Sequence, residues 1–143
     1  MTTPDPQMIR QAAIQVSREN FFPFVWRVFE TLHPHPDDQF EPAWHVRAMC
    51  HELDEVKRGA NKRLVITIPP RCLKSVTVAV AYVAYLLGSK PNTKIIVASY
   101  GRDLARKNSE DCRRVMSASW YREMFPATRL AAKGNTVEEI RTT

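Results

Sequence analysis

Apolar residues recur at helical spacing from about Asp5 to His33: Ile9, Ala13 and Val16, then Phe22, Val25, Phe29 and Leu32. That period predicts helix with one face turned to a core. Pro23 suits the first turn of a second helix starting near Phe22, because an N–H at that place has no intrahelical partner to lose. The stretch "HPHPDDQFEP" breaks the pattern, since Pro34, Pro36 and Pro42 remove backbone donors and disfavour helix before them. It reads as a connector. The helical period resumes over residues 42–57, where Val46, Met49, Cys50 and Leu53 share one face, and Arg58 and Gly59 end it.

Beyond Gly59 the pattern changes. "RLVITI" at 63–68 and "KIIVASY" at 94–100 are short apolar, β-branched runs of the kind that forms strands buried on both faces. Between them "LKSVTVAVAYVAYLLG", residues 73–88, is apolar nearly all round and predicts a buried helix with Gly88 just past its end, at C′. Strand, helix and strand in this order predict a βαβ unit with parallel strands and a right-handed crossover. "GRDLARKNSEDCRRVM" follows as an amphipathic helix with Leu104, Asn108, Cys112 and Val115 or Met116 on one side. Residues 120–125 read as a short helix or turn before Pro126, and "NTVEEIRTT" as a turn at Asn135 leading into a strand.

The longest apolar run, residues 76–87, is interrupted by Thr77 and falls short of the roughly 20 residues that span a bilayer, so it predicts a core helix. The N-terminal "MTTPDPQMIRQ" has acid and proline where a signal peptide has a basic start and an apolar run. With 143 residues, 44% hydrophobic and 25% charged, the chain has the balance of a globular domain able to bury a core. Its net charge of +6 fits either an anionic partner, such as nucleic acid or nucleotide, or a solvated basic surface. Cys50, Cys72 and Cys112 lie far apart without CxxC spacing, which points away from a disulfide framework or zinc site and toward a reducing cytoplasm. His33, His35 and His51 lack the spacing of metal ligands.

The chemistry concentrates in "IPPRCLKSVT", residues 68–77. Lys74 and Ser75 occupy the places where a phosphate-binding loop carries its lysine and its hydroxyl, after a strand-like run and before a buried helix. In such loops main-chain N–H groups cradle phosphate oxygens, the lysine reaches the β and γ phosphates, and the hydroxyl ligates magnesium. The glycines are missing: Ile68 and Leu73 stand where two are expected, so Leu73 is expected in an ordinary helical or bridge conformation. A purely structural reading is also open, with Pro69 and Pro70 ending a strand and Ser75 capping a helix. A lysine at a helix N-terminus argues against it, because the helix dipole disfavours a cation there unless an anion is bound. Arg71, three residues before Lys74, is placed either to stabilise charge in phosphoryl transfer or to pair with a surface carboxylate.

"RLVITIPPRCLKS", "KIIVASYGRDLARKNSEDCRRVM" and "EPAWHVRAMCHELDEV" together resemble the large terminase subunits of tailed bacteriophages and prophages, the ATP-driven motors that package DNA into capsids. The resemblance covers most of residues 21–143. It implies an incomplete α/β P-loop NTPase fold of RecA-like type, a parallel sheet flanked by helices, over residues 42–143. Residues 1–41 then form a helical N-terminal segment and linker. The family's loop has Gly-Lys-Ser where this chain has Leu73, Lys74 and Ser75. By resemblance Arg71 senses the γ-phosphate, Lys74 binds phosphate and Ser75 ligates Mg2+. Pro70, Cys72, Leu73 and Val76 complete the ATP site, and Trp44 either contacts the adenine or packs its helix onto the sheet. "ASYGRDLA" resembles the family's helicase-type motif, with Arg102, Arg106 and Lys107 as candidates for DNA phosphate contacts, or as a solvated helix face.

The implied partners are double-stranded DNA, a terminase small subunit, a portal protein and further copies of the chain in a ring, in the cytoplasm of a bacterial host. The paired carboxylates of a Walker B strand and the acidic cluster of the family's nuclease domain are expected outside these residues, Glu138 and Glu139 being no substitute. Two alternatives stay open on the sequence: a helicase-like ATPase acting on nucleic acid, and a binding module without ATP chemistry.

Overall fold

The computed structural model describes residues 5–131 and 139–142. Helix α1 (Pro6–Glu19) opens on Asp5, whose carboxylate accepts a hydrogen bond from Gln7 N–H at 3.0 Å, and Pro6 fits the first turn. Asn20 is extended and separates α1 from α2 (Phe21–Leu32). The start of α2 is capped from a distance, since the Phe21 N–H donates to the Asp54 carboxylate of α3 (Trp44–Arg58). Gly59 ends α3 at φ 83, a left-handed conformation that glycine adopts without a Cβ penalty.

The apolar segment after the loop is helical, and its first half is wound as a π-helix, Val76–Tyr82, before α4 (Val83–Ser89). Gly88 lies inside α4 rather than past its end. α5 (Arg102–Ser117) and α6 (Ser119–Met124) follow, with Asn108, Cys112, Val115 and Met116 on the buried face of α5.

The expected α/β parallel sheet is overturned. Among the described residues there is no strand, and residues 63–68 and 94–100 have no regular structure. One isolated antiparallel bridge joins Leu130 to Thr142. Residues 63–68 still alternate: Leu64, Ile66 and Ile68 pack on the core, while Val65 is 88% exposed. Ile96 in the second run is 95% exposed. The runs are therefore half covered, where sequence reading has them buried on both faces. The physical reason is that β-propensity describes fit to a pleated surface, and a strand needs a partner that no local residue supplies. The turn expected at Asn135 and the residue Glu138 lie outside the described residues. Glu139 and Ile140 are irregular, and Thr142 belongs to the bridge.

The core centres on the helix at 76–89. Tyr85 packs within 5.1 Å, ring to ring, of both Phe21 and Phe24, and Phe125 lies 5.1 Å from Tyr121. Each buried tyrosine finds a carbonyl for its hydroxyl: Tyr82 donates to Leu53 at 3.0 Å, Tyr85 to Arg18 at 2.9 Å and Tyr121 to Ala84 at 2.8 Å. Aromatic bodies thus fill the core while their polar tips tie neighbouring helices together.

These contacts also set direction. Tyr82 meets Leu53, and the Lys57 ammonium sits 3.9 Å over the Tyr85 ring, so α3 and the central helix run the same way. Nine residues before that shared register stand Trp44 on α3 and Leu73 at the loop end of the central helix. Both helix starts lie at one end of the bundle.

Candidate phosphate-binding loop

Residues 69–75 leave the irregular 63–68 run and enter the central helix at Lys74. Two of them have left-handed backbone without being glycine: Arg71 at φ 66 and Leu73 at φ 59. Among the described residues these are the non-glycine residues at positive φ. Sequence reading expects Leu73 in an ordinary conformation, and the structure corrects that. The backbone at Leu73 takes the shape a glycine would favour, with a leucine in its place. Such a conformation costs on the order of 1–2 kcal/mol for an L-residue.

The Leu73 side chain offsets part of that cost. It is half-buried and packs on the core, and its carbonyl accepts the Thr77 N–H at 2.8 Å. Val76, also half-buried, packs beside it. Leucine therefore anchors the loop to the bundle, which glycine could not do. Cys72, between the two left-handed residues, does not share their positive φ, and its thiol points toward the Pro70 carbonyl at 3.8 Å. Left-handed residues next to right-handed helical ones turn successive N–H groups to one side in anion-binding concavities, and Arg71 and Leu73 are left-handed residues of that kind.

The charged and hydroxyl groups of the loop stand open. Arg71, Lys74 and Ser75 are exposed. Ser75 makes no capping hydrogen bond, so the purely structural role open to it in sequence is not the one it takes. Among the described residues Arg71 and Lys74 make no ion pair, so Arg71 is not a surface arginine neutralised by a carboxylate. Two cations and a free hydroxyl flank strained backbone at the start of a buried helix, where the dipole favours an anion.

Trp44 is 80% exposed at the first turn of α3, with its ring 6.1 Å from the His45 ring. It does not pack a helix onto the core. Its helix start shares the loop's end of the bundle. Lys107, a sequence candidate for phosphate contact, is held 2.6 Å from Asp111 on its own helix. Arg102 and Arg106 stand at a cavity beside α5, away from the loop.

Sequence reasoning missed Thr77. It is fully buried one turn after Lys74, and its hydroxyl has no hydrogen-bond partner. An apolar run hides a lone threonine, so the signal was only the interruption of that run. Among the described residues no group of three or more His, Cys, Asp or Glu side chains is placed to hold a metal ion, and no helix is long and apolar enough to cross a membrane. Comparison with protein-family models, with curated proteins and with solved structures gives no match.

Proposed function

We propose that the chain is the ATP-binding part of a motor of the terminase type, with the phosphates received by residues 70–76. The observation that carries this reading is the pair of strained residues, Arg71 and Leu73, set immediately before an exposed and unpartnered Lys74 and Ser75. Backbone strain in non-glycine residues gathers at ligand clamps, where the surroundings hold it in place. The resemblance of "PPRCLKS" and its flanks to packaging motors gives the anion its identity as a nucleotide. The binding loop here enters a helical bundle, so the reading rests on the loop itself.

In this role the N–H groups around Cys72 and Leu73 hold phosphate oxygens, and Lys74 places its ammonium against the β and γ phosphates. Arg71 is positioned to stabilise charge that develops as the γ-phosphoryl group leaves. Ser75 fits magnesium as a single hydroxyl ligand, because that ion keeps waters and phosphate oxygens for its other positions. Magnesium supplies neutralisation of phosphate charge when bound. Trp44 offers an exposed ring at the same end of the bundle for stacking on a base. Coupling of hydrolysis to translocation of double-stranded DNA, with portal and small-subunit partners, belongs to the assembled motor in this reading.

A ligand that binds only the folded chain stabilises it by about 2.7 kcal/mol at one hundred times its dissociation constant. Millimolar Mg-ATP is therefore expected to raise the melting temperature of the wild type, and Lys74→Ala to abolish that rise. Arg71→Ala should weaken it. A melting temperature indifferent to ATP, or an equal rise in Lys74→Ala, would remove the assignment.

A further inference from the structure

A concavity lies beside the central helix, with no residue of the 69–75 loop in its lining. It encloses about 510 Å³ between α4, residues 93–97 and α5, a size within the ordinary range for small-molecule sites. Val83, Leu87 and Ile95 give it apolar walls. Asn108 lines it from α5. That residue is only 6% exposed, yet its amide has no hydrogen-bond partner among the described residues. Its donor and acceptor are open to the cavity, where a ligand presenting a matching acceptor and donor would pair with both.

Charge is arranged to match. Lys94 and Arg106 line the same cavity, both are exposed, and neither makes an ion pair among the described residues. Glu139, the carboxylate at the cavity, is engaged at 2.9 Å by Arg141 and so offers little net repulsion.

We propose that this cavity binds a small planar anion of the nucleoside-monophosphate class, its base edge read by Asn108 and its phosphate held by Lys94 and Arg106. A side-chain amide offers one donor and one acceptor side by side, which matches the paired groups on a purine edge. The apolar walls would enclose the ring, and Lys94 and Arg106, with Arg102 also in the lining, suit one phosphate. The site is separate from the 70–76 loop, and it stands or falls independently of ATP binding there.

The test uses the full chain and titrates it calorimetrically with adenosine 5′-monophosphate, adenosine and inorganic phosphate. Binding of the monophosphate, with adenosine and phosphate each much weaker, is expected for wild type and unchanged in Lys74→Ala. Asn108→Leu should weaken it about tenfold or more, the worth of one bidentate amide contact. Arg106→Glu, an exposed change that leaves the core intact, should weaken the monophosphate and leave adenosine unaffected. No binding by wild type, undiminished binding by Asn108→Leu, or loss of binding with Lys74→Ala would each overturn the proposal. The last of these would assign the nucleotide to the loop alone.

Discussion

Leu73 carries two opposed effects in one residue. Its left-handed backbone is strained, while its side chain packs on the core. Removing the side chain to alanine loses the packing and keeps the strain, so Leu73→Ala should destabilise by about 1–2 kcal/mol, the order for a partly buried leucine. Glycine relieves the strain as well, by roughly 1 kcal/mol, so Leu73→Gly should be the more stable of the two variants. That ordering reverses the usual one, and chemical denaturation of both proteins reads it. A Leu73→Ala protein more stable than Leu73→Gly would mean that the left-handed conformation is not held in solution. From sequence, the loop's position was legible because Lys74 and Ser75 lie between a β-branched run and a helix. Its conformation was not, because leucine gives no sign that tertiary packing will hold it at positive φ.

At the scale of elements, helix boundaries followed local chemistry. Asp5 with Pro6, the Asn20 break near Pro23, and Gly59 at φ 83 are local signals, and each ends or begins a helix as its type requires. Gly88 shows where such signals fail. Its glycine suggested a helix end, whereas inside α4 it makes room for a neighbour: a Cβ there would overlap the Phe125 ring. Gly88→Ala should therefore destabilise by about 1–3 kcal/mol in spite of alanine's better helix propensity, as overpacking in a filled core does. A stabilised Gly88→Ala protein in thermal melts would show that the ring moves aside at little cost. The cap on α2 is similarly non-local, because the acceptor for Phe21 N–H comes from Asp54 on α3. Burial raises the Asp54 carboxyl above its usual range, with the Phe21 hydrogen bond and Lys57 opposing that rise.

Across the whole molecule, the buried titratable groups set a pH limit. Burial pushes the Cys50 thiol up to about 12, with Asp54 adding to the rise, and burial likewise pushes Cys112 to about 12. Burial raises the Tyr82, Tyr85 and Tyr121 phenols as well. A group whose pKa is higher in the folded chain stabilises it fully below the unfolded pKa and loses that contribution as pH rises toward the folded value. For the two thiols the window runs from about 9 to about 12. Each thiol should remove about 1.4 kcal/mol of stability per pH unit across it. Denaturant midpoints measured from pH 8 to 11 should fall steeply above 9. Between pH 9 and 10, below the range where the phenols contribute, the fall should shrink by about half in Cys112→Ala once its lower starting stability is subtracted. A flat profile would mean that these thiols ionise in the folded chain.

What the sequence determined by itself were the helical segments, the breaks at Asn20 and Gly59 and the position of the candidate loop along the chain, because 3.6-residue periodicity, prolines and a left-handed glycine act within a few residues of one another. The tertiary structure decided the rest. Residues 63–68 and 94–100 have strand-like composition, but a strand exists only by pairing, and whether a partner arrives is a property of the whole chain. Arg71 and Leu73 are left-handed, Gly88 is covered by Phe125, and the Thr77 hydroxyl is buried without a partner because of neighbours distant in sequence. Periodicity records which side of an element is apolar, and only packing chooses what that side meets.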